Sequence, residues 1–264
     1  MLYAVGAGTV SDLGLKDYLL GQLMVTSAQV TAHFVNEFAD IEIDRHVVNR
    51  TWFSGGSGVL SSGTLPARVA MRAAIASSTM AVVFAVLVAD RSGAAAALGL
   101  IALVVSWLYS LPPVRLLDTA WGEAMTSVVV AVLVPFIGAL ANGGEVTAPL
   151  RWAVVVLFLV HMAMMLALEL PDLETDRAGG KTVLAVRLGH GATWLLIVAF
   201  FGLAAAAAAL AGSAGQISTP WRLVPAGISA LLVVIAARWQ RFHMATWSAV
   251  GTLALAALAL VGSL

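Results

Sequence analysis

The chain has 264 residues, 61% of them hydrophobic and 11% charged, with 14 Lys+Arg against 14 Asp+Glu. A water-soluble domain is nearer about 45–50% apolar and about 25% charged, so a soluble globular fold, a disordered chain and a coiled coil are excluded. The balanced charge leaves no basic field for nucleic acid. With no cysteine, the chain has no disulfide, thiolate metal site or cysteine nucleophile.

A helix needs about 20 apolar residues to cross about 30 Å of hydrocarbon. Apolar runs between charged or Gly/Pro-rich breaks predict eight full spans, at 18–38, 69–89, 93–111, 121–141, 152–170, 191–213, 220–237 and 244–263. A ninth run, 1–10, is too short to cross alone and reads as a partial helix or the remainder of one. It carries no positive charge and lacks the signature of a secretory signal. The expectation is an all-α polytopic membrane bundle of nine transmembrane helices, the first short, forming one domain over 1–264. Ala204–Ala209 suits close helix–helix approach. Trp52, Trp107, Trp121, Trp152, Trp221 and Trp239 lie near run ends, where an interfacial aromatic belt is expected.

Alternate loops divide the basic residues ten to four. The positive-inside rule puts the ten on the cytoplasmic side, with the N-terminus cytoplasmic and the C-terminus outside, in the plasma membrane. Ten of the fourteen acids also gather at those cytoplasmic ends, which the rule does not predict. They form two clusters. Counting 1–10 as the first, the second run ends in Asn36-Glu-Phe-Ala-Asp40-Ile-Glu-Ile-Asp44-Arg45, and the sixth in Asp172-Leu-Glu-Thr-Asp176-Arg177. Asp recurs every four residues in both, which on a helix stacks the carboxylates on one face, about 5–6 Å apart between Cβ atoms. Bare, they repel. Hard oxygen donors, with one or two carboxylates per ion, describe Mg²⁺ held together with a phosphate. Asp40 to Asp172 and Asp44 to Asp176 are both 132 residues apart, a weak internal repeat that would set both clusters at one mouth. Arg45, Arg50, Arg177, Lys181 and Arg187 flank the acids, and such cations make strong charge-assisted contacts to phosphate oxygens.

These residues resemble the UbiA superfamily of intramembrane prenyltransferases. Asn36, Asp40 and Asp44 match its NxxxDxxxD motif, and Asp172 and Asp176 its DxxxD motif. The stretch Asp172–Gly189 resembles the second loop, nearest the menaquinone-type branch, although Leu168-Glu-Leu-Pro171 stands where that branch carries an Asn-rich segment. Tyr109-Ser-Leu-Pro-Pro-Val-Arg115 with Gly122-Glu123 resembles a third segment. The resemblance implies nine helices around a central cavity and two Mg²⁺ ions bridged by a prenyl diphosphate. It implies transfer of the isoprenoid chain to an aromatic or other lipophilic acceptor. Asn36, Asp40, Asp44, Asp172 and Asp176 would hold metal, Lys181 and Arg45 phosphate, and Tyr109 and Arg115 would line the site.

Other residues are weighed beside these. The Gly/Ser-rich loop 45–66 reads as a lid over the diphosphate or as a connector. His33 and His161 share helical faces with Asn36 and Asp172, and either orients an acceptor or is an interior histidine. Glu169, one turn before Asp172, is a candidate for an additional metal ligand or an acceptor contact. Two other activities fit the same residues: a cyclase acting on a prenyl diphosphate alone, and an ion-coupled transporter. Transporters place such acids near the bilayer midplane, whereas here they stand at helix ends.

Overall fold

The computed structural model describes residues 1–45, 56–261 and 263–264. Its regular structure is helical throughout: α1 (Leu2–Ala7), α2 (Leu15–Ala39), α3 (Ile41–Asp44), α4 (Ala67–Ala89), α5 (Gly93–Ser110), α6 (Gly122–Val128), α7 (Val134–Ala141), α8 (Ala148–Glu169), α9 (Leu173–Ala178), α10 (Leu184–Ser213), α11 (Val224–Arg238) and α12 (Phe242–Val261). The helices α6 and α7 form one rod through a π turn at Val129–Leu133, and a 3₁₀ turn at Pro220–Leu223 leads into α11.

Among the described residues, seven rods are long and apolar enough to cross a bilayer. The expected nine are not reached on those terms. One run condenses to α1, only six residues long. The other, α2, has 25 residues but carries Lys16, Asp17, Gln22, Gln29, His33, Asn36 and Glu37 and is not among the seven. The remaining boundaries fall close to their predicted places, with one exception. Helix α10 begins at Leu184 rather than 191, because a short first segment joins the long rod across Gly189 at φ 74°. That left-handed conformation is open to glycine, so the chain bends there without losing the helix.

Helix starts follow local chemistry. Ser92 Oγ accepts from the Ala95 N–H at 3.1 Å to begin α5, and Thr147 Oγ1 caps α8 through Leu150 N, with Pro149 in the first turn. Both satisfy N–H groups that no carbonyl within the helix can reach. Packing then depends on small side chains. Helix α2 lies against α4 and α5, α8 against α10 and α12, and α11 against α12. Where α1 crosses α7, neither Gly6 nor Gly138 has room for a Cβ, so the two backbones touch, as small residues allow in membrane bundles. Hydroxyls stitch the first half together: Thr31 Oγ1 meets Ser77 Oγ at 2.8 Å, and Trp107 Nε1 donates to Ser78 Oγ at 3.0 Å. Trp107 is therefore a packing residue, not part of an aromatic belt. Trp121, Trp221 and Trp239 are exposed at helix ends, as a belt requires, while Trp52 lies outside the described residues.

Candidate active site

The acidic clusters sit at two matching helix breaks. Asp40 separates α2 from α3, with φ −100° and ψ 9°, and Asp172 precedes α9, with φ −94° and ψ −3°. In each, the backbone oxygen of the first Asp accepts from the N–H of the second at 2.8 Å. The 132-residue spacing is thus a repeat of geometry as well as of sequence. The expected straight helical face is corrected in one respect: the chain turns at Asp40 and at Asp172, so each pair spans a bend. Gly179 on the α9 side lies beside Ile43 of α3, which brings the two breaks together.

Lys181 joins them. Its Nζ lies 3.3 Å from Asp40 Oδ2 and 3.2 Å from Asp176 Oδ1, and all three side chains are largely buried. Arg115 Nη2 reaches the other Asp40 oxygen at 3.3 Å, and its Nε bonds Asp118. Arg115 holds a left-handed backbone, φ 46°, which turns its guanidinium back toward this junction. Burial pushes the Asp40 carboxyl above the usual carboxylate range, and Lys181 and Arg115 offset that only in part. For Lys181, burial acts downward, but Asp40 and Asp176 together outweigh it and its ammonium titrates above the ordinary lysine value. This is a buried cation held by carboxylates from two separate elements.

The remaining predicted residues divide. Asn36, His33 and Tyr109 line a cavity of about 570 Å³, and Tyr109 lies beside Thr126, close to Glu123 and Glu169. The Asp44 carboxylate packs against Gly56, and Glu37 accepts from Ser57 N and Oγ at 2.6 and 2.8 Å, so the far end of the 45–66 loop folds onto the first break. Arg50 and the first part of that loop lie outside the described residues. Arg45 and Arg177 are corrected: each is about half exposed and pairs with a glutamate on its own short helix, Glu42 and Glu174, rather than joining Lys181. His161 is corrected too. It is buried, with Nδ1 2.9 Å from Ser127 Oγ, and is absent from the cavity lining. Glu169 faces Glu123 and the Ala185 N–H, not an acceptor space.

Two cavity residues escaped sequence reasoning. Gln22, Gln29 and Asn36 recur every seven residues and line the cavity together with His33. Seven residues bring an α-helix almost back to the same azimuth, so this polar stripe was legible. Gln29 and His33 are both exposed, and each lines the cavity.

Among the described residues, no three His, Asp or Glu side chains converge closely enough to hold an ion alone. The donor chemistry nevertheless suits Mg²⁺, which takes one or two carboxylates and completes its shell with water and substrate phosphate. Asp40 and Asp176 direct hard oxygens from two breaks to one point, where two buried acids share one lysine.

Fold and site together define an integral membrane helical bundle with a buried charged cluster one helical turn from an apolar cavity. A profile of the UbiA prenyltransferase family matches residues 1–258, and the chain belongs to that family. It is 23% identical over 192 residues to the 1,4-dihydroxy-2-naphthoate octaprenyltransferase of Bacillus subtilis (strain 168), a match covering 71% of this chain and 61% of that protein. Its fold is similar to the apo structure of a UbiA homolog from Aeropyrum pernix K1, with TM-score 0.78 and 20% identity over 99% of this chain and 95% of that one. It is also similar to a UbiA homolog from Archaeoglobus fulgidus bound to DMAPP and Mg²⁺, with TM-score 0.73 and 19% identity over 100% and 94% of the two chains.

Proposed function

We propose that the protein is a Mg²⁺-dependent membrane prenyltransferase that moves an isoprenoid chain from a prenyl diphosphate to a hydrogen-bonding, aromatic or otherwise lipophilic acceptor. The observation that carries this reading is the buried Lys181 bridging Asp40 and Asp176, with Asp40 one helical turn beyond the cavity-lining Asn36. Solved family members bound to DMAPP and Mg²⁺, and a relative named for a dihydroxynaphthoate acceptor, support it. In this reading α2 also crosses the bilayer, α1 is a partial ninth element, and the mouth faces the cytoplasm of a plasma-membrane protein.

Asn36, Asp40, Asp44, Asp172 and Asp176 would hold two ions. Bound there, Mg²⁺ supplies positive charge to the leaving diphosphate. Lys181 and Arg115 donate to phosphate oxygens and take up the charge that grows as the carbon–oxygen bond breaks. The apolar cavity walls keep water from the allylic cation until the acceptor attacks. EDTA is expected to stop product formation, and Mg²⁺ added in excess to restore it; mass spectrometry of products from purified protein given a prenyl diphosphate and a panel of acceptors reads both. Persistent turnover in EDTA would remove the metal from the reading.

Transfer is favoured over cyclisation by Gln29 and His33. Both side chains line the cavity, and a bare hydrocarbon chain offers their polar groups no hydrogen bond. An acceptor with hydroxyl or carbonyl groups does. The Gln29→Leu, His33→Leu double variant is expected to raise the acceptor KM about thirtyfold, at roughly 1 kcal/mol for each of two lost hydrogen bonds, with the donor KM nearly unchanged. A cyclic product formed from prenyl diphosphate alone would point to the cyclase instead.

A further inference from the structure

Glu123 is among the least accessible charged residues of the chain, 1% exposed near the start of α6. No cation pairs with it among the described residues, and its Oε2 is buried without a hydrogen-bond partner. A carboxylate so placed is expensive, and no step proposed above uses it. Its other oxygen accepts from the Leu184 N–H at 2.7 Å. Beside it, the Glu169 carboxyl lies near the Ala185 N–H. Leu184 and Ala185 open α10, and the first N–H groups of a helix have no partner within it. The Glu123 carboxylate from α6 therefore holds the start of α10, with the Glu169 carboxyl of α8 beside it, where the helix dipole also favours negative charge.

Only Thr182 and Val183 separate Lys181 from this grip. Thr182 is held as well: its N–H and its hydroxyl each donate to Asp118 O at 2.8 Å. The segment from Arg115 to Glu123 thus carries one phosphate-facing cation directly and ties down the backbone that carries the other. We infer that Glu123, with Glu169, is a positioning residue for Lys181, acting through the first turn of α10 to keep the ammonium between Asp40 and Asp176. The inference rests on the reading of Lys181 as a diphosphate ligand. It makes the donor side of the site, not the acceptor side, dependent on a residue that touches no substrate.

Three variants of the full chain in detergent test it. Glu123→Ala removes the grip. Glu123→Gln keeps an accepting oxygen for Leu184 and offers an N–H to Glu169. Thr182→Val cuts only the hydroxyl half of the Asp118 tether. Glu123→Ala is expected to raise the prenyl diphosphate KM about tenfold, the scale of one strong charge-assisted hydrogen bond, with the acceptor KM within about twofold. Glu123→Gln should restore most of the loss. Thr182→Val, which also serves if Glu123→Ala does not fold, should show the same split at about two- to threefold. Without any substrate, the Leu184 and Ala185 amides should exchange hydrogen faster in Glu123→Ala. Equal loss for both substrates, a Gln variant as poor as Ala, unaltered donor KM in Thr182→Val, or unaltered exchange would each overturn the inference. A wild-type chain that binds no prenyl diphosphate, with exchange still faster in Glu123→Ala, would support the grip and overturn the functional reading instead.

Discussion

Asp40→Asn is expected to cut turnover by on the order of a hundred- to a thousandfold, the range seen when one preorganised charge-stabilising group is lost, while the protein still inserts and folds. Asp40 is the acid on which two cations converge, the largely buried Lys181 through one oxygen and the partly exposed Arg115 through the other. The amide keeps the shape and one accepting oxygen but removes the charge that a divalent ion needs. Deleting the side chain outright would leave two cations under-partnered, a large stability cost in a buried site, so the amide is the cleaner probe. Unchanged far-UV circular dichroism together with near-normal product formation would remove Asp40 from the metal set. Asp172→Asn is expected to behave alike, because Asp172 occupies the matching bend before α9.

Lys181→Met is expected to raise the prenyl diphosphate KM on the order of a hundredfold, the upper range for a charge-assisted contact in a water-poor site, with a much smaller change for the acceptor. Met keeps the apolar stem and volume of lysine, so packing between α9 and α10 survives while the ammonium is lost. Two carboxylates would then face each other without their shared cation. Stronger Mg²⁺ binding in the absence of substrate is the accompanying result, readable by titration calorimetry. An equal rise in both KM values would place Lys181 in general packing rather than on the diphosphate.

Much of the bundle was readable because the bilayer fixes helix length. Spans such as 69–89 and 93–111 differ from α4 and α5 by no more than a residue or two. The first turn of α10 was not, since Leu184–His190 contains Arg187 and Gly189 and lacks the length of an apolar run. The acid clusters were legible from DxxxD spacing and their shared end of the bundle, but the bends at Asp40 and Asp172 were not. A four-residue spacing reads as continuous helix whether or not the chain turns. Arg45 and Arg177 were assigned to phosphate from proximity in sequence, yet each has a glutamate three residues earlier, and that local pair forms instead. The Lys181 bridge itself joins residues 141 positions apart, a tertiary fact that no local pattern encodes. Glu123 stood out in the sequence only as part of the Gly122-Glu123 segment, with nothing to link it to the start of α10.

The π turn between α6 and α7 bears on which sequence changes this family member can absorb. Five residues, Val129–Leu133, complete a wider loop than an α turn would, and such bulges cluster at functional positions. Above it Glu123 reaches α10, and below it Gly138 admits α1. Removing a single residue from the bulge would regularise the helix and twist its halves by about 100° against each other. Either the carboxylate or the glycine would then miss its target. The rod is therefore phase-locked: side chains along it can be exchanged, but its length through the bulge cannot drift by one without uncoupling the charged mouth from the apolar floor.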